Sequence, residues 1–548
     1  ILETITKPVT YASLRLTQNT TDPEREGFLR VMREKAVKVE QNLLWLELEL
    51  AQLPQEQLNV LVEAPELAHY RHHLERIAAG KPYQRPEAEE RLISQLQQTG
   101  AEAFVTLFEQ ECGMKRYTFD ERQETLDALL ELLHAPDREL RARAASAISN
   151  GLEEEETRRA FIYTTLIKNK ESIDHLRGLA TPQTARHLNN ETTEEAVRVM
   201  VEAVEQRKDI LQRYYHWKAK KLGIAQLTEY DRYAPLQSTD QKIPFEEAKS
   251  IVLEAFRAFS PVFADHAQAF FDNGWIDAEL APGKRGGAFC SYVSTDHHPY
   301  VFLNYQGRMG DVLTLAHELG HALHATLAKS AGYLQFSTPL TLAETASVFA
   351  EMLTFDLLRK RFADQPQALE SLRANKIEGI FATVFRQASM HRFEELAHAH
   401  VRTHGYATPS TLHQLWLESQ QAMFGDSVLL QPEYRVWWSY IGHFFEYPFY
   451  VYAYTFGELL TCCLYEQASL DKTGTFAETY KAMLATGGSK DPATILAPLG
   501  IDPTSPATWK KGLDWIERLV YETIAMLPTS TTPPPAPLPP QEAARLPA

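Results

Sequence analysis

His317-Glu318-Leu319-Gly320-His321 places two imidazoles four residues apart, with a carboxylate beside the first. On a helix the two histidines stand one turn apart on the same face, so both can aim a ring nitrogen at one ion. The spacing predicts the helical half of a zinc site built for hydrolysis, in which Glu318 takes a proton from metal-bound water. With 19 histidines and 72 acidic residues among 548, roughly 0.09 such matches are expected by chance, so coincidence is a weak rival.

Catalytic zinc takes three protein ligands and keeps a position for water. His324 is ruled out by distance. Seven residues of helix from His317 rise about 10.5 Å, whereas ligands of one zinc lie within roughly 4 Å of each other. His324 is therefore expected to pack behind the site. A third histidine in the metzincin pattern is also missing, because Leu327 stands at its place.

Glu344 fits better, 23 residues after His321 and able to face it from the next helix. Glu344, Ser347 and Glu351 share one helical face, which offers a ligand together with groups to hold the imidazoles. Thr341-x-x-Glu344 also spells a capping box, a competing structural role for the same glutamate.

Residues 442–454 crowd His443, Tyr447, Tyr450, Tyr452 and Tyr454 together. Phenol and imidazole donors beside a metal would stabilise the oxyanion of peptide hydrolysis. The competing role is aromatic core packing. Lys284-Arg285-Gly286-Gly287 suits either a mobile loop over the site or a simple turn, and it lacks the strand-then-helix context of a phosphate loop.

The elements that must position these residues are mostly helices. Asp22-Pro23 opens a periodic segment to about residue 53, with Phe28, Val31, Met32, Leu43, Leu46 and Leu50 among its apolar positions. Further helices are expected over 87–107, 119–134, 137–156 and 193–222. A weak boundary falls at 178–190. The stretch 281–310 breaks the helical habit. There 288–294 and 299–305 alternate around Thr295-Asp296-His297-His298, which predicts an antiparallel hairpin. Helices resume near 310, with Val312, Leu315, Leu319, Ala322, Leu323 and Leu327 at helical spacing, and continue to about 527. The expected division is a helical lobe over 1–190, a catalytic domain over 191–527 and a Pro-rich tail over 528–548.

Composition narrows the partners. A net charge of -17 argues against nucleic acid, whose phosphates demand Lys and Arg. Four cysteines without a Cys-x-x-Cys pair argue against a thiolate zinc site and suit a reducing, cytoplasmic compartment. Ile1-Leu2-Glu3-Thr4 shows no basic region followed by an apolar core, so no signal peptide is expected. No apolar run reaches the length of a membrane helix.

Taken together, the zinc helix His317 to His324, Ala343-Glu344-Thr345-Ala346-Ser347 with Glu351, Asp231-Arg232-Tyr233-Ala234-Pro235-Leu236, Gly283-Lys284-Arg285-Gly286-Gly287-Ala288, Leu303-Asn304-Tyr305-Gln306-Gly307 and Phe449-Tyr450-Val451-Tyr452 resemble the thimet oligopeptidase and oligoendopeptidase F metallopeptidases, most closely the oligoendopeptidase F branch. The resemblance covers roughly 230–460. It implies a mainly α, two-lobed ellipsoid with a deep central channel and a small antiparallel sheet at the zinc site. Such a channel admits short unfolded peptides. It also implies that His443 and two nearby tyrosines contact the scissile group. Tyr450 and Tyr454 match best, with Tyr447 and Tyr452 as alternatives, because the tyrosine spacing departs from the thimet pattern.

The expected activity is a zinc endopeptidase of short oligopeptides, with one Zn2+ per chain on His317, His321 and Glu344. Glu318 acts as base, Tyr454, Tyr450 and His443 hold the oxyanion, and the strand at 288–292 aligns the substrate. Manganese or cobalt could occupy the same ligand set. The rival readings are an exopeptidase such as a dipeptidyl carboxypeptidase, and a catalytically dead peptide-binding scaffold.

Overall fold

The computed structural model describes residues 1–236 and 242–525; the Pro-rich stretch 528–548 lies outside the described residues. The architecture is mainly helical, with three small sheets among the described residues. Helix starts are written locally. The Asp22 carboxylate accepts the N–H groups of Glu24 and Arg25 at the head of Pro23–Gln52. Asp137, Thr193 and Thr408 cap Arg138–Glu153, Glu194–Gln206 and Pro409–Phe424 in the same way. Each cap satisfies amide donors that a helix start leaves unpaired.

Several segments differ from their periodicity. A helix at Leu2–Gln18 precedes the first expected one. The 87–107 segment is two helices, Glu87–Thr99 and Ala101–Met114, parted at Gly100. The 193–222 segment is likewise split into Glu194–Gln206 and Asp209–Lys221. The 119–134 segment is not one helix. Tyr117–Phe119 pairs antiparallel with Arg122–Glu124, and only Leu126–Leu132 is helical. Asp120 and Glu121 turn the hairpin with φ of 45° and 67°, the left-handed pair a two-residue turn requires. Apolar spacing does not report that conformation.

Two large buried cores form among the described residues, with a small third cluster at Ala325, Ala328 and Phe336. The larger gathers the helices Met309–Ala328, Thr345–Arg361, Tyr452–Leu470 and Pro506–Ile524 around residues such as Leu315, Phe349, Phe456 and Trp509. The second joins residues 108–167 to 390–451 through Tyr163, Phe393, Trp416 and Trp438. Residues 442–454 run from the second core into the first, which is how one short segment can carry donors to a site built elsewhere.

The sheet beside the histidine helix has three strands. Phe289–Ser291 faces Tyr300–Phe302 in antiparallel register, with Cys290 opposite Val301. Ile276–Asp277 adds on in parallel, so the sheet is mixed rather than purely antiparallel. A two-residue strand is too short for alternation to reveal it. Tyr300–Phe302 is central, which leaves Phe289–Ser291 on an edge.

All four cysteines are unpaired. Among the described residues no helix is long and apolar enough to cross a membrane.

Candidate metal centre and active site

Met309–Ala328 begins where the Asp311 carboxylate accepts the N–H groups of Gln306 and Arg308. One turn apart on that helix, His317 and His321 face the N-terminus of Thr345–Arg361. Glu344 stands at the junction between Leu340–Ala343 and Thr345–Arg361. Its Oε2 lies 3.3 Å from His317 Nε2 and 3.3 Å from His321 Nε2. The capping-box role is absent. Leu340–Ala343 starts after Pro339 without a side-chain cap, and the Thr341 hydroxyl donates to the Asn190 carbonyl instead.

This donor set fits zinc. Two ligands at about 2.1 Å in tetrahedral array stand about 3.4 Å apart, close to both observed separations. The three ligand atoms all lie within 4.8 Å of one another. Electrostatics agree. Burial alone would lower His317, yet Glu344 and Glu351 outweigh it and raise the imidazole to about 10. Burial would raise Glu344, but the two imidazoles draw it far below the usual carboxylate range. A carboxylate kept ionised between two imidazole nitrogens suits a divalent cation.

The candidate ligands are held from behind. Ser347 Oγ donates to Glu344 Oε2 at 2.8 Å. Glu351 Oε2 lies 3.5 Å from His317 Nδ1, and its Oε1 accepts from the buried Lys376 ammonium at 2.8 Å. Burial pushes Glu351 up, but Lys376 and His317 hold it at about 2, so it remains a carboxylate that orients the imidazole. Lys376 and its second neighbour Glu458, 3.8 Å away, come from remote helices, and nothing in their local sequence marks them.

Glu318, next to His317 on the same helix, lies within the field of both imidazoles and Glu344. Its Oε2 is buried without a protein hydrogen-bond partner, and burial raises its carboxyl above the usual range. A raised carboxyl beside the candidate metal ligands is suited to accepting a proton. His324 lies outside the cluster, as distance required. It is buried, meets the Thr338 hydroxyl at 3.1 Å and is lowered to about 3 by burial.

The tyrosines separate by environment. Tyr454 lines a cavity of about 570 Å³ with His317, Glu344, Glu351, Lys376 and Glu458. Its hydroxyl is 3.0 Å from His443 Nε2. Tyr450 packs against both, its ring 5.6 Å from His443 and 5.3 Å from Tyr454. Burial raises both phenols and lowers His443, so all three are neutral hydrogen-bonding groups near pH 7. Tyr452 turns away. Its buried hydroxyl meets His187 Nδ1 at 3.0 Å and Asn190 Nδ2 at 2.9 Å. Tyr447 is 52% exposed at the outer end of the segment.

The glycine-rich loop is a pinned turn. Gly283 and Gly287 take φ of 75° and 81°. The Lys284 ammonium donates to Asp277 Oδ1 at 2.7 Å and to the carbonyls of Glu279 and Leu303 at 2.6 and 3.0 Å. Asn304 Nδ2 holds the carbonyls of Arg285 and Gly287. These bonds fix the end of the sheet that faces the histidine helix.

Comparison with known proteins agrees with this architecture. The family described as "Peptidase family M3" matches residues 131–515, and "Oligopeptidase F" matches residues 49–114. Oligopeptidase PepF of Bacillus subtilis is 26% identical over 515 residues, covering 92% of this chain and 76% of its own. An oligoendopeptidase F homolog of Lactococcus lactis subsp. lactis is 28% identical over 514 residues, covering 92% and 85%. A crystal structure from Chlamydophila abortus superposes with a TM-score of 0.86 at 25% identity, over 96% of this chain and 90% of that one. Oligoendopeptidase-F from Enterococcus faecium shares the fold with a TM-score of 0.72 at 22% identity, over 95% and 90%.

Proposed function

The chain belongs to peptidase family M3 and is a peptidase, and we propose that it is a zinc-dependent endopeptidase of short oligopeptides. The observation that carries this reading is the convergence of His317, His321 and Glu344, with one Glu344 oxygen equidistant from both imidazoles. His317, His321 and Glu344 would hold one zinc ion per chain. Zinc there supplies a Lewis acid that acidifies water and polarises a peptide carbonyl.

The protein groups do the rest. Glu318 Oε2, free of other partners, accepts the proton of the attacking water and returns it to the leaving amine. The Tyr454 hydroxyl, paired with His443 Nε2 and flanked by Tyr450, donates to the oxyanion that forms as the carbonyl is attacked. The edge strand Phe289–Ser291 offers backbone N–H and C=O groups to an extended peptide, which permits many sequences to bind without side-chain selection.

Glu318→Gln tests the mechanism. The variant should bind zinc stoichiometrically by elemental analysis and lose at least about a hundredfold in kcat; full activity would refute the assigned base. A peptide blocked at both ends separates the two modes of cleavage, since an exopeptidase cannot process it. A folded, zinc-free and inactive protein would instead support the scaffold reading.

A further inference from the structure

Arg386 is the second residue of the helix Phe385–His404, two residues after Val384, which follows the end of Pro366–Thr383. Thr383 lines the cavity that holds His317, Glu344 and Tyr454. Thr455, next to Tyr454, donates to the Val384 carbonyl at 3.1 Å. Arg386 is therefore tied to the active-site wall.

Its guanidinium has no carboxylate within ion-pair distance among the described residues. Nη1 donates to the Tyr233 hydroxyl at 2.8 Å and Nη2 to the Tyr440 hydroxyl at 3.2 Å, while Nε is buried without a partner. Asp231 is committed to Arg138 and Arg141, and Glu378 to Lys218. Burial alone would raise the Tyr233 phenol, yet Arg386 and Arg232 pull it below its usual value.

A largely desolvated guanidinium without a counterion is costly unless an anion joins it. The geometry suits a carboxylate. Each phenol oxygen already accepts from Arg386, so each retains its own proton to donate outward. Arg386, Tyr233 and Tyr440 are all half-buried rather than sealed. Tyr440 ends the turn Pro432–Tyr440 and stands three residues before His443, which joins the cluster to the segment carrying the proposed oxyanion donors.

We propose that Arg386, Tyr233 and Tyr440 form a receptor for a substrate carboxylate that selects which peptides the site cleaves. This rests on the peptidase reading above. Two sources share that chemistry: the C-terminal carboxylate of a short peptide, and an acidic side chain. The first would make the enzyme a gauge of the distance from the cut to the chain end, which favours oligopeptides over long chains without any need for a lid.

The test uses the zinc-loaded full chain and peptides blocked at the N-terminus. One has a free C-terminal carboxylate, one a C-terminal amide, and a set of amides carries a single Glu at successive positions. Wild type should cleave the free acid with kcat/KM at least about tenfold above the amide, chiefly through KM. Arg386→Gln should bring that ratio close to one, and Arg386→Lys should retain part of it. Recovery by one of the Glu-bearing amides, in place of the free acid, would assign the carboxylate to a side chain.

Equal cleavage of acid, amide and Glu-bearing amides by wild type would overturn the receptor and leave the peptidase reading intact. So would an Arg386→Gln variant with the wild-type ratio. If Arg386→Gln does not fold, the wild-type and Arg386→Lys ratios decide. No cleavage of any peptide would overturn both readings.

Discussion

Gly320 of the histidine helix lies so close to Ala346 of the glutamate helix that a Cβ at position 320 would stand 2.5 Å from the Ala346 carbonyl oxygen and 2.6 Å from Ser347 Cα. Both obstacles are backbone, and neither can swing aside. The glycine within the His-Glu-x-x-His motif is thus the contact that lets the two ligand-bearing helices approach. With any side chain there, Glu344 would be held away from His317 and His321.

Gly320→Ala should therefore push the two helices apart. Overpacking of this kind costs about 1–3 kcal/mol. Zinc affinity should fall along with thermal stability, because the third ligand is displaced. Zinc retention during dialysis against a weak chelator checks this. An alanine variant that holds zinc as tightly as wild type would show that the helices can adjust, and that Gly320 does not set the ligand spacing.

The segment 442–454 gives opposite expectations for two neighbouring tyrosines. Tyr454→Phe removes a hydroxyl that pairs with His443 beside the cavity lined by His317 and Glu344. It should keep its stability and lose about 10²–10³-fold in kcat, the usual cost of one oxyanion donor. Tyr452→Phe removes a buried hydroxyl and leaves Asn190 Nδ2 and His187 Nδ1 short of a partner. Burial and the nearby His391 hold His187 neutral, at about 4, so the loss is of ordinary hydrogen bonds, about 1–3 kcal/mol. Its kcat should stay near wild type. Melting temperatures and kcat for both variants decide the assignment; a catalytic defect in Tyr452→Phe would reverse it.

These contrasts show what the sequence could and could not carry. The convergence of His317, His321 and Glu344 was legible because two ligands share one helical face and the third opens the next helix, so chain geometry limits the outcome. The tyrosines were not separable, since a segment passing between two cores exposes successive side chains to unrelated partners. Lys376, Arg386 and Glu394 left no local signal, because their meaning lies in residues brought from distant helices. The hairpin at Asp120 and Glu121 was misread as helix because its signature is a backbone angle, and neither residue is the glycine or asparagine that usually marks it.

Glu394 supports a prediction about pH. Its carboxylate is fully buried, and Oε1 accepts the Phe449 N–H at 2.7 Å. Phe449 has a φ of 59°, uncommon for a bulky residue, and directly precedes Tyr450. Burial raises the Glu394 carboxyl to about 8, with the Phe449 N–H and the more distant Arg186 opposing the shift. Between its ordinary value of 4.5 and about 8, the folded protein keeps a proton that the unfolded chain has released. Stability from this group is thus fully present below pH 4.5 and is lost as pH rises through 8, by a few kcal/mol in order of magnitude. The neighbouring His398, buried and lowered well below its usual value, acts in the opposite sense as pH falls. The difference between wild type and Glu394→Gln isolates the carboxyl, because the amide oxygen can still accept from Phe449 and does not titrate. Urea midpoints from pH 5 to 9 should show the wild type losing ground to Glu394→Gln as pH rises. Parallel curves across that range would mean that Glu394 ionises normally in the folded protein.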